Sequence, residues 1–291
     1  MTAADLVLPV DKPIGPTSHD IVATARRALQ VRRIGHTGTL DPFASGLLLL
    51  CVGRATRLAE YLTGLDKSYE AVARLGQSTD TEDCQGEVIQ EQAGWEVLSE
   101  SDIQAAMQSF TGPIDQVPPQ YSAKKVDGVA MHRRARRGEH VVLEARAVTV
   151  HEIELLKVDL PFVRFRVNCS SGTYVRSLAR DIGEALGVGG HLTELRRTSV
   201  GKFSLDGALS PDDLFDSHRI EGAAIEPLQA MAHMPTVVVS HEDVTRLAHG
   251  QDVQVGASSP SGTVAVVHDG KLVAVANIQD GLLRPAKVFI A

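Results

Sequence analysis

The chain has 291 residues, 43% hydrophobic and 22% charged, enough to bury a sizeable core in one large domain plus a small one. No apolar run approaches the ~20 residues of a membrane span, and Met1 to Asp5 lacks the basic start and apolar stretch of a signal peptide, so a soluble, cytoplasmic protein is expected. A net charge of −7 argues at first sight against a nucleic-acid partner, although the distribution of charge matters more than its sum.

Leu6 to Val10 reads as a short strand, followed by a turn at Lys12-Pro13-Ile14-Gly15-Pro16. Thr17 or Ser18 then caps a helix running to Leu29, with Ile21, Val22, Ala25 and Leu29 at helical spacing. The next segment, Gly35 to Gly46, holds one carboxylate, Asp41, directly ahead of Pro42 in a loop with three glycines. A residue before proline is pushed out of the helical region, so Asp41 is not expected to cap a helix. Leu47 to Leu50 follow at once as a buried strand that anchors the loop to the core. A carboxylate held at the edge of a core is a candidate nucleophile or base. On its own, Asp-Pro in such a loop favours a structural turn over a catalytic group. The loop has no P-loop lysine and no obvious following helix, which argues against a phosphate cradle.

Further on, Ala55 to Leu62 has the pattern of a short helix, and Tyr69 to Leu75 and Glu87 to Gln90 read as two strands of a hairpin. Ser101 to Phe110 fits an amphipathic helix ended by Gly112-Pro113. The proline-rich stretch Val117 to Lys125 cannot be helical and leads into the densest basic cluster, His132 to Arg137. Such clusters are usually solvated faces; beside a lysine-bearing loop, this one also suits a strap over a phosphate backbone. Strands near Val141–Leu156 and Phe162–Cys169 precede a helix that starts around Gly172 to Arg176 and runs to Leu186. Pro211 to Met234 has a helical pattern. Val237–Val239, Val253–Val255, Thr263–His268, Leu272–Ile278 and Ala286–Ile290 read as short strands, with one helix at His241 to His249. The order points to an α+β fold around a mainly antiparallel sheet.

Cys51, Cys84 and Cys169 form no Cys-x-x-Cys pair and the eleven histidines no metalloprotease pair, so neither a disulfide framework nor a metal site is suggested. Residues 206–291 carry five basic and eleven acidic side chains, and 66–104 carry two and ten. The rest is net positive, concentrated in Lys12 to Arg57, Lys124 to Arg146 and Arg164 to Lys202. If these regions share a face, a polyanion could bind one side of an otherwise acidic protein; they also fit solvated surface charge.

Taken together, seven segments resemble the bacterial TruB-type tRNA pseudouridine-55 synthases. They are Asp11-Lys12-Pro13-x-Gly15, Gly35-His36-Thr37-Gly38-x-Leu40-Asp41-Pro42, Lys67-x-Tyr69, Gly76-x-x-Thr79-Asp80-Thr81, Pro118-Pro119-x-Tyr121-Ser122-Ala123-Lys124-Lys125, Gly172-Thr173-Tyr174-Val175-Arg176-Ser177-Leu178 and Leu195-Arg196-Arg197. They span nearly all of residues 5–205 in the family's order. The resemblance implies a pseudouridine synthase fold in residues 1–205, with a thumb-like insertion at about 124–150. A linking helical segment at 206–235 and a small β-rich, PUA-like domain at 236–291 would follow.

The same resemblance implies isomerisation of uridine to pseudouridine at position 55 of the tRNA T-loop, by base flipping and without a cofactor. Asp41 would be the catalytic aspartate, Arg176 the arginine that keeps it charged and aimed, and Tyr69 the tyrosine stacked on the target base and a candidate proton-transfer group. His36 would stand next to the flipped nucleotides, Leu195 would wall the uracil pocket, and Lys12 would support the catalytic loop from below. Tyr174, Lys124, Arg133, Arg134, Arg136 and Arg137 complete the expected substrate-binding set, with the arginines in the thumb. His132 stands where the family often has tyrosine. The expected partner is the stem and loop of the tRNA T-arm, with no membrane and no obligatory protein partner. A tRNA-binding or folding-assistance protein whose isomerase activity is secondary is the alternative.

Overall fold

The computed structural model describes residues 5–121, 125–126, 129–130, 143–256 and 258–289. Its largest element is a nine-stranded sheet. The strands are β1 (Leu6–Lys12), β2 (Ile34–His36), β3 (Ser45–Val52), β4 (Lys67–Leu75), β7 (Gly112–Gln116), β10 (Arg146–Asp159), β11 (Phe162–Cys169), β12 (Gly190–Val200) and β13 (Phe203–Ser204). The main path runs β1-β3-β12-β4-β11-β10-β7, with β2 beside β3 and β13 beside β12. Every pairing is antiparallel except that of β12 with β3.

The run of four leucines explains why β3 is central. A strand apolar at every position can be covered on both faces. Leu47, Leu49 and Cys51 enter one apolar cluster, while Leu48, Leu50 and Val52 enter another on the opposite side. Helix α1 (Ser18–Leu29) packs Ile21, Val22 and Ala25 against the second of these. Thr17 is its N-cap, in a reciprocal capping box with Asp20, and the chain leaves through Gln30 in a left-handed conformation. Ser18, the other candidate cap, is buried and bonds to Leu40 instead.

Several expectations need correction. The hairpin is made by β5 (Gln77–Thr79) with β6 (Val88–Glu91), whereas the strand through Tyr69 lies between β11 and β12. The Ala55 to Leu62 helix is split into a 3-10 turn, Gly53–Leu58, and a short helix α2 (Ala59–Thr63). Gly112-Pro113 opens β7 rather than merely ending helix α3 (Glu100–Gln108). The Pro211 to Met234 segment is helical only in short pieces, a 3-10 turn at Asp213–Phe215 and the helices α5 (Ser217–Ala223) and α6 (Pro227–Ala230). Between them Ile225 bridges to Val7, so this segment is bound to the edge of the large sheet. Residues 125–126 and 129–130 form the two-residue strands β8 and β9.

Helix α4 (Val175–Ala185) starts directly after Tyr174, as expected, and buries one face against β12. The C-terminal part is a five-stranded sheet ordered β14-β16-β17-β18-β15, made from Thr236–Val238, Gly262–His268, Lys271–Gln279, Leu282–Val288 and Val253–Gln254, with helix α7 (His241–Ala248) against it. This sheet has its own apolar cluster, but Ala265, Leu272, Val275 and Phe289 join a second cluster with Leu47, Leu49, Leu58 and Leu62 of the large sheet's side. Lys287 also pairs with Glu60 at 3.0 Å, and Arg57 donates to the Val288 carbonyl at 2.6 Å.

Candidate active site

Asp41 lies in the turn between β2 and β3, and the turn is fastened from several directions. The Ser18 hydroxyl accepts from the Leu40 amide at 2.8 Å and bonds to the Leu40 carbonyl at 3.1 Å. Gly15 donates to the Pro42 carbonyl at 2.8 Å, and Ala44 donates to the Asp41 carbonyl at 3.1 Å. From below, buried Arg197 of β12 donates through Nε to the Leu47 carbonyl at 2.7 Å and through Nη2 to the Gly38 carbonyl at 3.2 Å. Backbone bonds of this kind fix the carboxylate's starting point before any ligand arrives.

Arg176, the second residue of α4, reaches that carboxylate. Its Nε is 3.1 Å from Asp41 Oδ2, while Nη1 is 3.2 Å from Asp83 Oδ2. Nη1 also donates to the Thr81 carbonyl and Nη2 to the Tyr121 carbonyl, both at 2.8 Å. The guanidinium therefore sits between two carboxylates, with all three of its nitrogens engaged. The two acids differ in access: the Asp83 side chain is 5% exposed and the Asp41 side chain 36%. Asp83 Oδ1 is further occupied by the Thr81 hydroxyl at 2.7 Å and the Gln85 amide at 3.0 Å. Asp41 is the carboxylate left open to a ligand.

Arg176 and burial act on the Asp41 carboxyl in opposite directions. Burial pushes the Asp41 carboxyl above the usual range, the Arg176 guanidinium opposes this, and the nearby Asp83 charge adds to the upward push. The guanidinium favours the charged form, but burial outweighs it.

Asp41 and Arg176 border a cavity of about 560 Å³, the size of an ordinary small-ligand site. Tyr69, Tyr174 and Leu195 are among its other walls. Tyr69 and Leu195 come from adjacent strands, β4 and β12, and both are buried. Burial is the main reason the Tyr69 phenol is pushed above the usual value, and the charge of nearby Arg197 opposes it. A phenol so held keeps its proton at neutral pH and is a poor base. Tyr174 is clamped by Gln116 of β7, whose amide oxygen accepts from the Tyr174 nitrogen at 2.8 Å and whose amide nitrogen donates to the Tyr174 carbonyl at 3.0 Å.

Two other expected residues stand outside the cavity lining. Lys12 is fully buried and spends its ammonium on the carbonyls of Pro13 and Pro16 at 2.9 and 2.8 Å. It is placed to brace the loop beneath Asp41, not to meet a ligand. His36 accepts from the Gly38 amide at 3.3 Å and packs edge-on against His19, with ring centres 5.4 Å apart. Burial, with His19 and Arg197 nearby, lowers its pKa to about 4. Lys124, Arg133, Arg134, Arg136 and Arg137 lie outside the described residues.

Three side chains at the site escaped the sequence reading. Arg197 stands in a family-like motif that implied no role for it, Asp83 lies in the connection between two expected strands, and Gln116 carries no sequence signal. For Asp83, a third acid so close behind Thr79-Asp80-Thr81 was the available hint.

Residues 26–175 match the TruB family pseudouridylate synthase N-terminal domain. Residues 176–233 match the tRNA pseudouridylate synthase B C-terminal domain, and 235–289 the pseudouridine synthase II TruB C-terminal region. The chain is 46% identical to the tRNA pseudouridine synthase B of Thermobifida fusca, covering 98% of this chain and 99% of the relative. It is 45% identical to that of Burkholderia lata, covering 98% and 90%. Among solved structures, it resembles the archaeal box H/ACA sRNP Nop10–Cbf5 complex with a TM-score of 0.76 and 29% identity, covering 99% of this chain and 87% of that one. It also resembles an H/ACA RNP bound to a substrate RNA containing 2'-deoxyuridine, with a TM-score of 0.75 and 28% identity over 98% and 85%. The fold is that of a pseudouridine synthase. Within that class, the chain belongs to the TruB family.

Proposed function

We propose that the protein converts uridine to pseudouridine at position 55 in the T-loop of tRNA, with Asp41 as the group that initiates the exchange of bonds. The observation that carries this reading is the Asp41–Arg176 contact at 3.1 Å, on the wall of a cavity also bounded by Tyr69 and Leu195. The isomerisation breaks the bond from uracil N1 to C1′, turns the base while it is held, and joins C5 to C1′. N1 gains a proton and C5 loses one, so nothing is oxidised or hydrolysed. Whether the carboxylate attacks sugar or base or assists elimination to a glycal, it acts ionised, and Arg176 favours that form.

In this reading Tyr69 stacks on the extruded base and Leu195 is an apolar wall of the uracil pocket, both residues lining the cavity. A uridine in the stack cannot reach Asp41, so it is flipped at a cost of a few kcal/mol that stacking and phosphate contacts offset. His36, neutral at physiological pH, stands next to the flipped nucleotides without charging. Lys12 supports the loop. Tyr174 completes the rim, and the charges of Lys124, Arg133, Arg134, Arg136 and Arg137 serve the phosphate backbone of the T-arm. In this reading residues 1–205 form the catalytic unit with a thumb at about 124–150, 206–235 link it to the PUA-like 236–291, and the protein works in the cytoplasm without cofactor or obligatory protein partner.

The test is to mix purified protein with an unmodified T-arm hairpin, without added metal or nucleotide, and map pseudouridine by position. Product at the T-loop uridine supports the proposal; an unmodified hairpin rejects it.

A further inference from the structure

One turn beyond Arg176, Arg180 repeats its pattern of contacts. Arg176 holds the segment 79–83 through the Thr81 carbonyl and Asp83, and the segment 117–121 through the Tyr121 carbonyl. Arg180 holds the same two segments at neighbouring points: Nη1 pairs with Glu82, and Nη2 donates to the Val117 carbonyl at 3.2 Å. The second Glu82 oxygen accepts from the Ser177 hydroxyl at 2.7 Å, so Glu82 is gripped by two side chains of the same helix. Arg180 is itself steadied by Asp181, which accepts from Nε at 2.8 Å and Nη2 at 2.7 Å.

The backbone explains why Glu82 needs that grip. It adopts φ of 62°, a left-handed conformation that a non-glycine side chain disfavours. It lies between Thr81 and Asp83, the two residues that seat the Nη1 end of Arg176. A relaxation of Glu82 would therefore swing both partners of that nitrogen. The backbone of Glu82 itself is held by two bonds, the Leu192 amide donating to its carbonyl at 3.1 Å and its own amide donating to the Thr79 carbonyl at 3.2 Å, and the Thr79 hydroxyl donates to the neighbouring Asp83 carbonyl at 2.8 Å.

We propose that Arg180 and Glu82 are positioning residues for the isomerisation: their pair holds residue 82 in its left-handed conformation so that Thr81 and Asp83 fix Arg176, and Arg176 aims Asp41. The function rests on the reading of Asp41 and Arg176 as the reacting pair. Neither Arg180 nor Glu82 borders the cavity that would hold the base.

Two substitutions at one site test the device. Glu82→Ala and Glu82→Gly both remove the Glu82 carboxylate from Arg180 and Ser177 and differ in how readily the backbone accepts a positive φ. Single-turnover rates on saturating T-arm hairpin should fall at least about tenfold in Glu82→Ala and recover severalfold in Glu82→Gly, with hairpin affinity within about twofold of the parent in both. Arg180→Met should match Glu82→Ala, and the double variant Glu82→Ala/Arg180→Met should be no slower than the slower single variant, because both act through one contact. Hydrogen exchange at the Gln85 amide, which donates to Asp83, reads the same loop without any reaction. Its protection should drop in Glu82→Ala and be kept in Glu82→Gly. Equal rates and equal protection in the two Glu82 variants overturn the proposal, as does a parallel loss of affinity and rate. If the parent protein fails to modify the hairpin, the functional reading fails and with it the proposed role. The exchange pattern then decides only whether the pair holds the loop.

Discussion

Gly46 of β3 and Arg197 of β12 meet backbone to backbone: a Cβ on Gly46 would lie 2.2 Å from the Arg197 carbonyl oxygen and 2.7 Å from its nitrogen. The two residues are also partners in the parallel pairing that places the Asp41 turn beside the strand carrying Leu195. Gly46 has φ of 107°, which adds a second obstacle to any side chain. Gly46→Ala should therefore destabilise the protein by about 3 kcal/mol or more, measured by urea unfolding. A loss under about 1 kcal/mol would mean that the strands part without penalty.

Asp41→Asn should separate activity from stability. The folded carboxyl titrates above its unfolded value, so the folded state binds its proton more readily, and the charged form opposes folding at neutral pH. That opposition disappears as pH falls through the raised folded value. Asn keeps the shape without the charge, so the variant should melt at neutral pH no lower than the parent while its isomerase rate falls at least roughly 10³-fold. In the parent, kcat/KM should drop on the acid side at a pH above the ~3.9 of a free aspartate. Tritium release from C5-labelled RNA gives the rate, and calorimetry the melting point.

His36 should shape acid stability without shaping activity near neutrality. Its folded pKa of about 4 lies below the unfolded value, so between about pH 6.5 and 4 the unfolded chain takes a proton that the folded one refuses. Stability from this source is present above that window and is lost as pH falls through it. His36→Gln should flatten the loss of stability between pH 7 and 4.5, measured by urea unfolding at both. An equally steep fall would place the effect elsewhere.

The four arginines Arg133, Arg134, Arg136 and Arg137 should govern salt dependence rather than turnover. Replacing all four by alanine should weaken RNA binding and reduce the slope of log K against log salt by roughly 0.7 to 0.9 for each phosphate that the variant no longer neutralises. The rate at saturating RNA should change little. Filter binding at several salt concentrations checks this, and an unchanged slope would remove these arginines from the interface.

How far the sequence disclosed the site depends on how each residue is signalled. Asp41, Tyr69, Tyr174, Arg176 and Leu195 stood in dense motifs and do converge on one cavity. β11, apolar in alternation, was legible to the residue. By contrast β12, which lies between β3 and β4, went unread although it supplies Leu195 and Arg197. It opens on glycine, carries Glu194, Arg196 and Arg197, and has register shifts at Leu192/Glu194 and Arg197/Ser199 that break the two-residue period. A fully buried arginine looks like a surface residue in a sequence, because its partners are distant backbone carbonyls. Asp83 was hidden for the same reason, since its guanidinium partner lies 93 positions away.

The apolar cluster that Leu58 and Leu62 share with Leu272, Val275 and Phe289 bears on how the chain can be divided. Cutting before Thr236 would strip the oily backing from the short helix whose Glu60 and Thr63 border the cavity. A shortened protein should thus suffer in folding yield and solubility as much as in its hold on RNA, and the tail is poorly suited to transplantation as a free-standing module.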